Sequence, residues 1–388
     1  MPLPSTERIL LGPGPSLIPP RVIGALAAPV LSHLDPDFVP LLDDVRGQLR
    51  RLFGADDKAL TLAISGTGTS AMEAAVANAV SEGTRGLVIV TGYFGDRLAQ
   101  IFERYGARVR RLDVDWGRAV DPQQLRDELR RDGADIVGIV HAETSTGVRN
   151  PVKELAAIAR EHGALTVVDT VTSLGGHPVD LAGWGVDIAY SCSQKCIGAP
   201  SGVAPIAVSG PARARLVKCR SFYLDLKLIE DYWVGRKYHH TLCTSLIYAL
   251  REALLMVEEE GLAARYARHE HHHKALAAGV EAMGLGLLPP PAERLWTLNT
   301  VRVPQGVDEA AVRRTLLSTF NIEVGAGLGP LAGKIWRVGL MGASSTPQTL
   351  LQFLAALESA LASNGYAAPA GAGVAAASAV LRPQLTAA

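Results

Sequence analysis

Two charged residues stand where apolar runs end. Leu165–Asp169 is an apolar strand-like run closing on a carboxylate. Ala189–Pro200 begins as an apolar strand and turns at Ser193-Gln194-Lys195, its lysine twenty-six residues after Asp169, before a Gly/Ala/Pro break. A carboxylate at the end of a buried strand is costly unless something cationic meets it. A lysine amine can form an imine with an aldehyde, and a carboxylate can keep a pyridine nitrogen protonated. Lys195 and Asp169 therefore point to pyridoxal 5'-phosphate (PLP) chemistry. Read without its partner, Lys195 is only a surface charge after a strand.

Other segments supply the remaining contacts such a cofactor needs. Ser65–Glu73 follows a strand-like run and opens a helix. Its small residues admit a ligand to the backbone, its first N–H groups lack partners, and Thr67, Gly68 and Thr69 form an anion site. The competing reading is an ordinary helix start with Glu73 in a capping box. Phe94, in the loop after the Leu87–Val90 strand, is an aromatic able to stack on a flat ring or to join the core. The Glu143–Gly147 loop offers hydroxyls that suit a phenolate oxygen; the plain alternative is a turn. Arg236–Thr241 is rich in donors and suits a phosphate, in its own subunit or across a dimer, or is a solvated loop. Arg337 lies in a strand-like run, where a guanidinium is expensive unless it meets a carboxylate. That carboxylate is either a substrate's or a structural partner's. His269, His271, His272 and His273 fall in a helical stretch and read as a solvated face. Cys192 and Cys196 have no second ligand pair nearby, so no metal site is expected.

The elements that must position these residues follow from periodicity. Strand-like runs at residues 86–91, 108–114, 135–141, 164–169, 186–191 and 203–209 alternate with helical segments at 96–105, 122–131 and 152–162. This alternation predicts an α/β fold: a large domain with a mostly parallel sheet covered by helices on both faces. Ligands in such sheets sit beyond the strands' carboxyl ends, where Asp169 and the Lys195 turn fall. A helix is expected over residues 37–53, capped by Asp35 with Pro36 in its first turn. After Ser245 come a long helical stretch to Met283 broken near Gly261, strand-like runs at 285–288, 298–303 and 334–340, and helices at 308–320 and 347–361. These make a smaller C-terminal α+β domain. The expected division is an N-terminal arm at 1–20, a large PLP-binding domain at 21–260, a small domain at 261–364 and an Ala-rich tail at 365–388, either a poorly docked helix or an arm. Leu11-Gly12-Pro13-Gly14-Pro15 reads as a rigid extended arm rather than an element.

Composition bounds the function. Of 388 residues, 48% are hydrophobic, enough for a large core. Thirty-eight basic and 38 acidic residues balance, so no nucleic-acid partner is expected. Four cysteines form no disulfide framework, which fits a reducing cytoplasm. No apolar run is long enough for a membrane span.

Taken together and in order, these motifs resemble the class V (fold type I) PLP aminotransferases, most closely the alanine–glyoxylate / serine–pyruvate aminotransferase family. The resemblance rests on Leu11–Pro15, Ser65–Thr69, Ser145-Thr146-Gly147-Val148, Asp169 with Ser173-Leu174-Gly175-Gly176, Ser193-Gln194-Lys195, Phe222-Tyr223-Leu224-Asp225, Tyr238-His239-His240-Thr241 and Arg337-Val338-Gly339. It implies transamination between a small amino acid (alanine or serine) and a 2-oxo acid (glyoxylate or pyruvate), with ping-pong kinetics. It implies that Lys195 binds the cofactor covalently and that Asp169 pairs with the ring nitrogen. Thr144 and Gln194 would contact the ring or its O3′, and Gly68 and Thr69 the phosphate. Tyr238 and Thr241 would reach the phosphate from the neighbouring subunit of a homodimer, and Arg337, with Gly14, would bind substrate. The family often has tryptophan where this chain has Phe94 and histidine where it has Thr69. Ureidoglycine, aminoethylphosphonate and pyridoxamine are alternative donors. A cysteine desulfurase needs a late nucleophilic cysteine, but the last is Cys243. A non-enzymatic PLP-binding regulator needs a DNA-binding helix pair and a basic patch, and neither is visible.

Overall fold

The computed structural model describes residues 6–385. Its centre is a seven-stranded sheet. In chain order the strands are β1 (Leu60–Gly66), β2 (Arg85–Val90), β3 (Arg108–Asp113), β4 (Ile136–Val140), β5 (Leu165–Asp169), β6 (Ile188–Tyr190) and β7 (Gly202–Val208). Their spatial order is β1-β7-β6-β5-β4-β2-β3. The pairs β6–β5, β5–β4, β4–β2 and β2–β3 are parallel. Strand β7 runs antiparallel to both its neighbours. Strand β1 therefore points the same way as the parallel set, and the carboxyl ends of β1, β2, β4, β5 and β6 share one edge.

The central strands form because helices cover both faces. Every residue of β4 (Ile-Val-Gly-Ile-Val) and β5 (Leu-Thr-Val-Val-Asp) is buried. β-branched side chains suit a pleated surface that is filled on both sides. Burying each such side chain contributes roughly 1.5–3 kcal/mol. The crossover helices carry the complementary pattern. Pro122–Asp132 starts with a capping box between Asp121 and Gln124 and buries Leu125 and Leu129 on one side.

A second apolar core gathers Leu11, Leu276, Val280, Leu316, Trp336, Val338, Phe353, Leu357 and Leu381. Its sheet has the order β8-β10-β9, with β8 at Leu298–Arg302, β9 at Gly325–Ala326 and β10 at Ile335–Gly339. The helices Thr244–Glu260 and Leu262–Ala282 meet at Gly261, where φ is +78°. Among the described residues no helix is long and apolar enough to cross a membrane.

Several local expectations are corrected. The first long helix is Val39–Leu52; Phe38 precedes it, and Asp35 instead accepts from the Asp37 N–H at 2.8 Å. Residues 285–288 form no strand, only a bridge from Leu287 to Val301. The arm is more than a spacer. Ile9–Leu10 pairs parallel with Ile322–Glu323, and the Leu11 carbonyl accepts from Gly339 N at 2.7 Å. The tail forms the helix Ala372–Leu385, and Ala377 and Leu381 are fully buried. Gly279 lets it approach: a Cβ there would stand 3.0 Å from the Gly373 carbonyl. The histidines are not a solvated face. His269, His272 and His273 are buried, because spacings of three and four put them on one side of their helix. His269 donates from Nδ1 to the Arg265 carbonyl at 2.7 Å and accepts the Gly342 N–H at 3.1 Å.

Candidate active site

Parallel strands bring the site together. Asp169 ends β5 and sits in register with Tyr190, which ends β6. The Asp169 carboxylate is buried and accepts the Val171 N–H at 2.8 Å on one oxygen and the Tyr190 hydroxyl at 3.1 Å on the other. Burial raises its pKa from 3.8 to about 7; the Val171 and Tyr190 bonds oppose the rise and the charge of Glu143 adds to it. Among the described residues no cation stands within ion-pair distance of it; the more distant Lys195 charge opposes the rise only as the smallest cause.

Five residues beyond Tyr190, Lys195 is 8% exposed. Its Nζ donates to the Pro13 carbonyl of the arm. Ser16 holds the Lys195 carbonyl through its hydroxyl at 2.8 Å. Burial lowers the lysine's pKa, and the nearby Arg337 charge lowers it further. Gly14 has φ +112°, and a Cβ there would meet Lys195 Cδ and Cε at 2.7 Å. The arm can cross the lysine because that position carries no side chain.

The helix Gly68–Ala77 begins above the same edge. A Cβ on Gly68 would contact Val171 at 3.1 Å and Cys192 at 3.3 Å, so this helix start abuts the turns after β5 and β6. Thr67 is its N-cap residue but makes no side-chain cap bond. Glu73 closes no capping box; it accepts the Tyr105 hydroxyl at 3.0 Å. The first N–H groups are thus left for a ligand. Phe94 lies not in a loop but in the first turn of the helix Tyr93–Arg104, half-buried. The N–H groups of Phe94 and Gly95 donate to the fully buried Glu143 carboxylate at 3.4 and 3.2 Å. Ser145 supplies two more bonds to Glu143, at 3.0 Å from its N–H and 2.6 Å from its hydroxyl. Glu143 is therefore the anion at that helix N-terminus, not part of a plain turn. Thr144 is buried, and its hydroxyl pairs with that of Thr172 at 2.5 Å.

Arg337, in the middle of β10, is 7% exposed. Its Nε donates to the Ala326 carbonyl at 2.6 Å and its Nη1 to the Thr144 carbonyl at 3.4 Å. Among the described residues it forms no ion pair with a carboxylate. Burial lowers its pKa, and the charges of Glu143 and Glu323 oppose that. Tyr238 and Thr241 are exposed. Their segment is anchored by His240 Nε2 on Ser65 Oγ at 2.8 Å and by the Tyr238 ring 5.5 Å from His33. Among the described residues no hydrogen bond or ring contact joins either residue to Lys195, Asp169 or Thr67–Thr69.

Four features fit PLP. The Gln194 side-chain oxygen is buried without a hydrogen-bond partner among the described residues. Asp169 is a buried carboxylate without a cation at ion-pair distance among them, which a pyridinium would supply. The helix start at Gly68 has free donors for a phosphate. Gly14 leaves open the space around the lysine. Tyr190, Glu143, Thr172 and Ser16 belong to this constellation but were not singled out from sequence. Tyr190 reaches Asp169 only through the β5–β6 register, and Ser16 reaches Lys195 across 179 residues.

Comparison with known proteins places the chain in one family. The family described as Aminotransferase class-V matches residues 9–337. The chain is 39% identical over 377 residues to the (S)-ureidoglycine–glyoxylate transaminase of Bacillus subtilis, covering 91% of this chain and 90% of that protein. It resembles the crystal structure of an alanine–glyoxylate aminotransferase from Nostoc sp., with TM-score 0.91, 47% identity and coverage of 93% and 97%. It also resembles that of a pyridoxamine–pyruvate aminotransferase from Mesorhizobium loti, with TM-score 0.93, 30% identity and coverage of 99% and 100%.

Proposed function

Because the chain belongs to the class-V aminotransferases, which use PLP, we propose that it moves an amino group between a small amino acid, alanine or serine, and glyoxylate or pyruvate. The observation that carries this is Arg337: a buried guanidinium whose charge reaches the lysine and which, among the described residues, is bonded only to carbonyls. Its planar fork matches the α-carboxylate shared by amino and 2-oxo acids. Glyoxylate as acceptor is supported by its appearance in the names of the Bacillus and Nostoc relatives.

Bound PLP supplies an aldehyde to react with amines and a ring that stores electrons. Lys195 would attach the cofactor, and its amine would move the proton at the substrate Cα. Burial favours the neutral amine this requires. Asp169 would keep the proton on the ring nitrogen, and Tyr190 and the Val171 N–H fix the carboxylate's orientation. Thr67, Gly68 and Thr69 would hold the phosphate. Phe94 would stack on the ring, with Glu143 fixing the turn that presents it. Gln194 and Thr144 would contact the ring oxygen. Arg337 would hold the substrate carboxylate, and Gly14 would leave it room.

Tyr238 and Thr241 complete the phosphate site of a second copy in a homodimer. The exposed aromatics Phe222, Tyr223 and Tyr238 support such an interface.

A half-reaction screen tests the assignment. Single amino acids are mixed with PLP-loaded protein, and the absorbance of the lysine-bound cofactor is followed. Alanine or serine should bleach it, and glyoxylate or pyruvate should restore it. Bleaching by ureidoglycine, aminoethylphosphonate or pyridoxamine, with alanine and serine inert, would overturn the donor assignment and leave the reaction class standing.

A further inference from the structure

The anion site at Gly68 has more charge to neutralise than its backbone can manage. A phosphate monoester carries about −1.5 to −2 charges at neutral pH. A helix N-terminus offers the equivalent of about +0.5. The threonine hydroxyls add donors but no charge. The lysine of the site is turned to the Pro13 carbonyl.

Among the described residues a cation does reach this helix start. Arg97 lies on the second turn of the helix Tyr93–Arg104, and its Nη1 donates to the Thr69 hydroxyl at 3.0 Å. Its guanidinium carbon is 5.0 Å from the centre of the Phe94 ring and 5.2 Å from that of Tyr93. Two aromatic rings and one hydroxyl therefore aim a planar cation at the first turn of the Gly68 helix. No carboxylate claims it: among the described residues Arg97 forms no ion pair, while its neighbour Asp96 is taken by Arg111 at 2.6 Å. Thr69 accepts this bond through its hydroxyl, which leaves its backbone N–H free for a ligand.

We propose that Arg97 is a phosphate ligand of the cofactor site and supplies the positive charge that the Gly68 helix start lacks. This rests on reading that helix start as the phosphate site. Stacking on Phe94 couples the two halves of the cofactor's contacts: the ring that faces the pyridine also braces the cation that meets the phosphate. Arginine suits the task because its fork meets two phosphate oxygens at once.

Cofactor-free full-length protein, titrated separately with PLP and with pyridoxal, tests this without reference to turnover. The ratio of the two dissociation constants measures what the phosphate contributes. Wild type should prefer PLP. Arg97→Gln should cut that preference at least tenfold while leaving pyridoxal affinity within twofold, and Arg97→Lys should fall between. Unchanged pyridoxal affinity also shows that the variant's ring site is intact. A wild type with no preference for PLP overturns the phosphate site and this proposal together. A wild type that prefers PLP, with the same ratio in Arg97→Gln, overturns this proposal alone. Equal losses for both ligands in Arg97→Gln also overturn it, since the effect would then lie with the ring.

Discussion

Asp169 gives a prediction whose sign differs between the free protein and the cofactor-bound one. Folding raises this carboxyl's pKa from 3.8 to about 7, chiefly by burial. A raised carboxyl pKa means that the native state binds a proton that the unfolded chain has already released. Stability contributed by this residue is then full below the unfolded value and is lost as pH climbs to the folded one. At about 1.4 kcal/mol per pH unit, the full loss is about 4 kcal/mol, and some 2 kcal/mol of it falls between pH 5.5 and 7. An asparagine amide cannot ionise. The cofactor-free Asp169→Asn variant should therefore keep this part of its stability above pH 7, even though its amide replaces one acceptor of the Val171 and Tyr190 bonds. Chemical denaturation of both proteins at pH 5.5 and pH 8 measures the effect. The stability difference, variant minus wild type, should rise by about 2 kcal/mol between these pH values. PLP should reverse the order, because the wild-type carboxylate gains a pyridinium partner and the amide gains none. A pH-independent difference, or one that moves towards wild type as pH rises in the free protein, would refute the buried-carboxylate reasoning.

Lys195→Ala should leave no covalent cofactor after borohydride treatment, as read by intact mass; an adduct on the variant would move the attachment elsewhere. Arg337→Ala removes charge-assisted bonds worth about 1.5–3 kcal/mol, so KM for amino and 2-oxo acids should rise roughly 10- to 100-fold. Arg337→Lys should recover only part of this, and an unchanged KM would take Arg337 out of the site. Gly14→Ala drives a methyl group against Lys195 from a backbone with φ +112°; strain of about 1–3 kcal/mol should weaken PLP binding roughly 5- to 150-fold in equilibrium titration. Glu143→Gln replaces the acceptor of four bonds with an amide and should lower unfolding stability by about 1–3 kcal/mol, read from the denaturant midpoint.

Motif order and hydrophobic periodicity carried the class of chemistry and the layer architecture. The alternation of apolar runs with helical segments is local, and it fixed which strands end where. Lys195, Asp169, the small-residue helix start at Gly68 and Arg337 stood out because their residue types are expensive or purposeless at those positions without a ligand. Periodicity misread what depends on distant neighbours. His269, His272 and His273 looked solvated because polar residues on a helix usually face water. Their burial depends on which elements pack against that face, and those lie far along the chain. The Ala-rich tail carried too weak a pattern to announce its docking, which rests on paired glycines at 279 and 373. Only the tertiary structure paired Tyr190 with Asp169, set Glu143 at the start of the Phe94 helix, laid Gly14 across Lys195 and brought Arg97 to Thr69. Each of these contacts joins residues from different strands, helices or loops. Their distances follow from sheet order and register, which a single sequence does not contain.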